Sequence, residues 1–389
     1  MIDFTSKFPA TSTSIFTEMS QLSALYQAIN LGQGFPDYPV DPILIQGIHK
    51  AMQDGYNQYA PSAGYLALRT QIAQKAQLEI GVTFDPDTEI LITPGATNGL
   101  FSTIATFVNP GDEVVYFDPA YDSYRPSILA VAGVPVPVTL QYPGFKLDIQ
   151  LLAAAITHKT RMIILNTPHN PTGTTLQKEE LDQLRDLLEG TNILILSDEV
   201  YSTILYDQKP HISPLSDPLL RARTIAVYSF GKIFNCTGWK TGYVLAPPDL
   251  MQEIFKVHQN NAFSTFSAVQ IGLAAYMEDP TTYTRLAGSL QQKRDLLAAA
   301  LKDSPLRPLP VKGSYFQLYS YEGFSSMTEK EFAIWLTKQV GVTSIPLSAL
   351  AETFGDQKLI RFCFAKKEET LIEAGKRLSR LGKDFHPPY

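Results

Sequence analysis

The sequence predicts an α/β fold: a mostly parallel central sheet with helices on both faces, followed by a smaller α+β domain. Short apolar runs recur at residues 90–92, 114–117, 162–165, 193–196 and 224–228. They are apolar at nearly every position, as strands covered on both faces are. Helical stretches such as 176–188 separate most of them, which is the alternation that a parallel sheet requires. After Pro280 the character changes. A long helical pattern over 282–301 meets a Pro-rich break at 305–310, and strand-like 314–318, a helix from about Thr328, strand 359–362 and a last helix near 367–381 follow.

Ahead of the sheet, Asp41-Pro42 sets a capping carboxylate before a proline at the first helical position. A second helix runs from about Tyr65 to a stop at Gly81. The expected division is a joining segment 1–44, a large α/β domain 45–280 and a small α+β domain 281–389, with the closing HPPY read as a frayed end.

The 389 residues are 44% hydrophobic and 18% charged, the balance of a large globular protein rather than a disordered one. A net charge of −6 offers no basic excess for a nucleic acid backbone. No run of about 18 apolar residues is present to span a membrane. The first twenty residues lack the apolar core and cleavage site of a signal peptide. With only Cys236 and Cys363, a disulfide scaffold is excluded and a reducing, cytoplasmic location is expected.

Ligands of open parallel sheets sit at the carboxyl ends of the strands, so the polar residues just after the apolar runs form the candidate site. Thr93-Pro94-Gly95-Ala96-Thr97-Asn98-Gly99-Leu100 turns from strand into helix. Its small residues allow close approach, and a helix start attracts an anion, although a plain tight turn reads the same way. Asn166-Thr167-Pro168-His169-Asn170-Pro171-Thr172-Gly173 either caps the next helix or offers an amide to a ligand oxygen. His169 reads as a packing or hydrogen-bonding histidine, since no His/Cys/Asp cluster has metal spacing.

Ser197-Asp198-Glu199-Val200-Tyr201 places carboxylate at the end of a buried strand, which is costly unless a cation pairs with it. That cation is an Arg or Lys, or a ligand's protonated nitrogen. The stretch from Ser229 to Gly242 crowds Lys232 and Lys240 among apolar neighbours. A lysine desolvated in this way is a nucleophilic amine able to form a Schiff base, while Cys236 beside it reads as a small filler. Arg361 is the one charge within LIRFCF; its fork matches a carboxylate, whether a substrate's or a buried acid's.

Taken in order, from Gln33-Gly34-Phe35-Pro36-Asp37 to Arg361, these stretches resemble the class I aminotransferases of pyridoxal phosphate fold type I. The likeness is nearest to the branch holding methionine and kynurenine aminotransferases. It is supported by Asn57-Gln58-Tyr59-Ala60-Pro61, by Asp118-Pro119-Ala120-Tyr121-Asp122-Ser123-Tyr124 and by the residues around Arg361. The resemblance implies pyridoxal 5′-phosphate as cofactor, with Lys232 holding it covalently and Asp198 pairing with its ring nitrogen. By the same resemblance Tyr201 and Asn170 donate to the ring's phenolic oxygen, and Ser229, Lys240 and the Gly95-Ala96-Thr97 backbone hold the phosphate. Tyr121 stacks on the ring. Tyr59 reaches the cofactor of a neighbouring subunit, so a homodimer is implied.

Arg361, with Asn170 and the Gly34 N–H, is implied to grip the substrate α-carboxylate, and Ile15, Phe16, Phe35, Tyr59, Tyr121 and Phe263 are candidate pocket walls. Residues 259–264 carry no arginine for a second carboxylate. A large neutral amino acid (methionine, an aromatic, histidine or kynurenine) is therefore expected as donor to a 2-oxo acid, by a ping-pong mechanism. A cysteine-S-conjugate β-lyase, using the same cofactor residues, is the alternative. Asn98-Gly99 departs from the acid and small residue often found in relatives. A dinucleotide fold is excluded, because Gly32-Gln33-Gly34 has no third glycine at Asp37.

Overall fold

The computed structural model describes residue 8 and residues 14–388. Tyr389, at the end read as frayed, and most of the first thirteen residues lie outside the described residues. The chain enters through helix α1 (Ile15–Leu25) and the short strand β1 (Ile29–Asn30), then helices α2 (Pro42–Gln53) and α3 (Leu66–Ile80). The caps are those the sequence predicts. The Asp41 carboxylate accepts from Ile43 N at 2.8 Å, and α3 stops at Gly81, whose φ of 69° is left-handed.

Seven strands form the large sheet: β2 (Ile90–Thr93), β3 (Glu113–Asp118), β4 (Val134–Thr139), β5 (Thr160–Asn166), β6 (Leu194–Asp198), β7 (Thr224–Ser229) and β8 (Gly242–Leu245). Their spatial order is β2-β8-β7-β6-β5-β3-β4. Five neighbours, β4-β3-β5-β6-β7, run parallel, and β8 is inserted antiparallel to both β7 and β2. The two strands without a counterpart in the sequence reading each have a reason. β4 reads VPVPVT, and its prolines place it at the sheet edge. β8 is four residues long, directly after the Lys240 loop.

The sheet is buried on both faces. Val114 and Tyr116 pack with helix α4 (Ala96–Phe107), while Val115 and Phe117 lie in the cluster of Leu181 and Leu184 on the other side. The helical pattern over 282–301 is interrupted at Arg285, which separates Thr281–Thr284 from Leu286–Ala300.

Beyond it, β9 (Arg307–Pro308), β10 (Phe316–Ser320), β11 (Val342–Thr343), β12 (Ile345–Pro346) and β13 (Leu359–Cys363) follow. Four make an antiparallel sheet ordered β12-β13-β10-β9, and β11 pairs in parallel with β1. Cys363 N also donates to Leu31 O at 2.7 Å. Residues 31–32 are thereby held beside β13, and Gly34 O comes within 3.4 Å of Lys232 Nζ beyond the end of β7.

Candidate active site

A cavity of ≈ 370 Å³ opens where β2, β5, β6 and β7 end and β13 faces them. The predicted residues Phe16, Gly34, Phe35, Gly95, Ala96, Thr97, Tyr121, Asn170, Asp198, Tyr201, Ser229, Lys232, Lys240 and Arg361 all line it. Tyr59 does not. It is 81% exposed and stands edge-on to Phe263 at 5.1 Å. Of the six candidate pocket walls, Phe16, Phe35 and Tyr121 face the cavity, and Ile15, Tyr59 and Phe263 do not.

Lys232 sits in the single helical turn Phe230–Ile233 that follows β7. Its Nζ is 3.4 Å from Gly34 O and under 6 Å from the Tyr201 and Tyr315 rings. Burial, with the nearby charge of Arg361, pushes its pKa down to about 8, so a fraction of the amine is free at neutral pH.

Asp198 ends β6. Tyr124 Oη donates to it at 2.6 Å and Val200 N at 3.3 Å. Burial pushes its pKa up to about 6 despite those bonds. Among the described residues no cation is ion-paired with it. This is the position of a carboxylate awaiting a positive partner.

Backbone donors gather at the start of α4. Gly95 adopts φ 80° at the N-cap, and no side chain caps the helix. The first N–H groups of α4 therefore face the cavity without intrahelical partners. Lys240, left-handed at φ 51°, brings its side chain there. A Cβ on Gly95 would stand 3.5 Å from Lys240 Nζ, and one on Gly242 would stand 2.8 Å from Ala96 N. Small residues, an open helix start and an ammonium make an anion cradle. The Asn98-Gly99 departure leaves it intact. Gly99 has a packing reason, because a Cβ there would come within 3.1 Å of Val244.

Arg361 is 1% exposed. It donates from Nη1 to Asn170 Oδ1 (2.6 Å) and from Nη2 to Gly32 O (3.0 Å), and it stacks on Phe316 with Cζ 3.8 Å from the ring centroid. Its Nε has no partner among the described residues, nor does the guanidinium form an ion pair. Burial lowers its pKa only to about 10, so the charge persists. A buried, charged, incompletely bonded guanidinium is built for an arriving carboxylate. Asn170 is held in turn by its N–H to Asn166 Oδ1 (2.8 Å), and Asn166 Nδ2 donates to Asp198 O (2.8 Å).

Tyr124, Tyr315 and Phe316 complete the site without being given a role by sequence, and Asn166, within a candidate stretch but without a role of its own, joins them. Tyr124 leaves a trace, three residues after Tyr121 in a run already quoted. The other expected roles are bland ones. His169 Nδ1 meets Thr172 Oγ1 at 2.7 Å, and burial takes its pKa down to about 4. Cys236 is buried with its thiol pushed up to about 12, an inert filler. Among the described residues no cluster has the makings of a metal site.

Residues 26–378 match the family model for aminotransferase class I and II. Methionine aminotransferase of Escherichia coli strain K12 is 45% identical over 97% of this chain and 98% of its own length. A solved Escherichia coli structure described as having a methionine aminotransferase function, 45% identical, superposes with a TM-score of 0.96 over 98% of this chain and 100% of that one. Kynurenine–oxoglutarate transaminase 1 of Mus musculus is 33% identical over 93% of this chain and 94% of its own. The N-succinyldiaminopimelate aminotransferase structure from Mycobacterium tuberculosis superposes at 0.93, with 35% identity, covering 97% of this chain and 100% of that one.

Proposed function

This chain belongs to the class I and II aminotransferases, enzymes dependent on pyridoxal 5′-phosphate, and on that premise we propose that it moves the amino group of a large neutral amino acid, methionine foremost, to a 2-oxo acid. One observation carries the site assignment. A lysine with depressed proton affinity, a buried carboxylate and a buried arginine surround a single cavity, and among the described residues neither the carboxylate nor the arginine forms an ion pair. The cofactor and its substrate fit those three vacant partnerships: an aldehyde for Lys232, a ring N–H⁺ for Asp198, and a substrate carboxylate for Arg361. The α4 start with Lys240 and Ser229 suits the phosphate, Tyr121 the ring face, and Tyr201 and Asn170 the phenolic oxygen.

When bound, pyridoxal phosphate supplies the electron sink for the pair left on the substrate's Cα. The chain's own residues do the rest. Arg361, with Asn170 and Gly34 beside it, holds the α-carboxylate and so orients the Cα–H toward Lys232. Lys232 Nζ, free in part at neutral pH, takes that proton as general base. Asp198 keeps the proton at the ring nitrogen. Donor and acceptor use one site in turn, which makes the kinetics ping-pong.

Phe16, Phe35 and Tyr121 line the side-chain end, and Asp122 lines it too, its carboxyl pushed up by burial. Among the described residues the cavity's cations are Lys232, Lys240 and Arg361, each assigned to the cofactor or to the α-carboxylate, so none is left there for a second substrate carboxylate. Methionine and aromatic donors, kynurenine included, are favoured over aspartate.

The exposed Tyr59, with Phe263, suits a homodimer in which Tyr59 serves the neighbouring subunit's phosphate. The two unpaired cysteines suit the cytoplasm. No helix among the described residues is long and apolar enough to cross a membrane. The test is to add methionine without any oxo acid to the loaded protein. The absorbance band of the lysine-bound cofactor is expected to give way to a pyridoxamine-type band, and a band unmoved by methionine, kynurenine or aromatic donors would defeat the proposal.

A further inference from the structure

Glu199 follows Asp198 directly but faces the other side of the sheet, because successive side chains of a strand alternate. It is fully buried and does not line the cavity. Its carboxylate accepts four hydrogen bonds. Ser197 Oγ (2.9 Å) and Ser213 Oγ (2.6 Å) donate to Oε1, and His211 Nε2 (2.7 Å) and Tyr228 Oη (2.8 Å) donate to Oε2. Its own N–H donates to Val227 O at 2.9 Å.

These donors come from three places. Ser197 lies on β6, His211 and Ser213 lie on the crossover that leaves Tyr201, and Tyr228 lies on β7 immediately before Ser229. Burial would raise the carboxyl's proton affinity, but His211, Ser213 and Tyr228 outweigh it and hold the pKa below the ordinary range. Glu199 therefore stays ionised. The other charged or titratable groups packed around it are Lys75 and Glu79 of α3, which pair with each other, Tyr243 stacked on Tyr228 at 4.7 Å, Tyr283, and Asp198 itself.

We propose that Glu199 is a positioning residue: its four-bonded carboxylate ties the ends of β6 and β7 and the 202–213 crossover into one unit, fixing the spacing between Asp198 and the Ser229–Lys232 turn. The inference rests on the assignment of Asp198 and Lys232 to opposite ends of one cofactor. A rigid ring bound at both ends feels displacements of about half an ångström. The charge also acts through space, since Glu199 raises the proton affinity of Asp198.

The test is the release rate of cofactor from the loaded full chain, with the pH midpoint of its absorbance band and the thermal unfolding temperature. In Glu199→Gln the hydroxyls and the imidazole can turn round to accept from the amide, so the chain folds while the charge is lost. Release is expected to speed by at least about tenfold, the usual scale for supporting residues of a bound group, with a shifted pH midpoint. Ser213→Ala keeps the charge and is expected to change release by less than about fivefold. A Glu199→Gln protein with a lower unfolding temperature but release within about twofold of wild type, and an unmoved midpoint, overturns the proposal. Wild type that never carries the cofactor band would instead overturn the assignment beneath it.

Discussion

The lysine end of the cavity hangs from strands of one sheet, whereas its arginine end is assembled from the N-terminal segment and the small sheet. Gly95, Asn170, Asp198 and Lys232 each stand at or just beyond the carboxyl end of a strand in a single buried sheet. The arginine end draws Phe16 from α1, Gly32 and Gly34 from the loop after β1, Phe316 from β10 and Arg361 from β13. The first arrangement is set by the register of one sheet, with β5, β6 and β7 side by side and β2 one strand further on across β8. The second is set by how the small sheet and the N-terminal segment lie against the large one. Changes at the lysine end should strike the chemical step, and changes at the arginine end should strike substrate choice and binding.

The sharpest test of that contrast is Lys232→Ala. It removes the base and the covalent anchor together, and kcat is expected to fall by at least about 10⁴-fold, with the lysine-bound absorbance band lost. Near-normal turnover would erase the distinction. Arg361→Lys keeps the charge but loses the fork that reaches Asn170 and Gly32. A drop of about 10–100-fold in kcat/KM, mostly through KM, is expected from steady-state kinetics. A pure kcat effect would mean that the arginine end takes part in the chemistry.

Asp122→Asn probes the same end more gently. Removing a like charge is expected to raise the glutamate-to-methionine ratio of kcat/KM by about 3–10-fold. The smallest effect is a pH slope at the lysine end. Asp198 has a folded pKa of about 6 against an ordinary 3.8, so the folded state binds the extra proton between those values. The cofactor-free protein should therefore lose stability as pH rises from about 4 to 6, and Asp198→Asn should lack that component. Thermal melts of the two proteins across that range measure the difference.

The same contrast explains what was legible in the sequence. Lys232 and Asp198 stand out because each interrupts an apolar run at a strand end, where charge is costly. Arg361 stands out as the one charge in the middle of an apolar strand. Local pattern does not separate Asp198 from Glu199, two adjacent acids that alternate faces; the family resemblance selects Asp198, and the fold shows why, with Glu199 meeting His211 while Asp198 meets Tyr124 and the cavity. Tyr124 itself reads as an ordinary core aromatic. Phe16 and Phe35 were placed through family resemblance, since no local pattern brings an N-terminal helix to a distant strand. β4 was hidden by its prolines, and the break at Arg285 lies in a pattern whose periodicity runs through it.

The pairing of β1 with β11 also bears on how the enzyme is made. The strand at Ile29 waits for Val342 to be synthesised, and Gly32 waits for Arg361, roughly 310–330 residues later. At ribosomal speeds of about 5–20 residues per second, that is a delay of about 15–65 s. Throughout that interval the large sheet can form, but the loop bearing Gly32 and Gly34 lacks β13 and the Arg361 contact that hold it from the other side. Newborn chains should accordingly acquire the anion cradle and Lys232 well before they acquire a substrate clamp. A chain stopped short of β13 would keep the machinery for holding its cofactor and have no arginine with which to receive an amino acid.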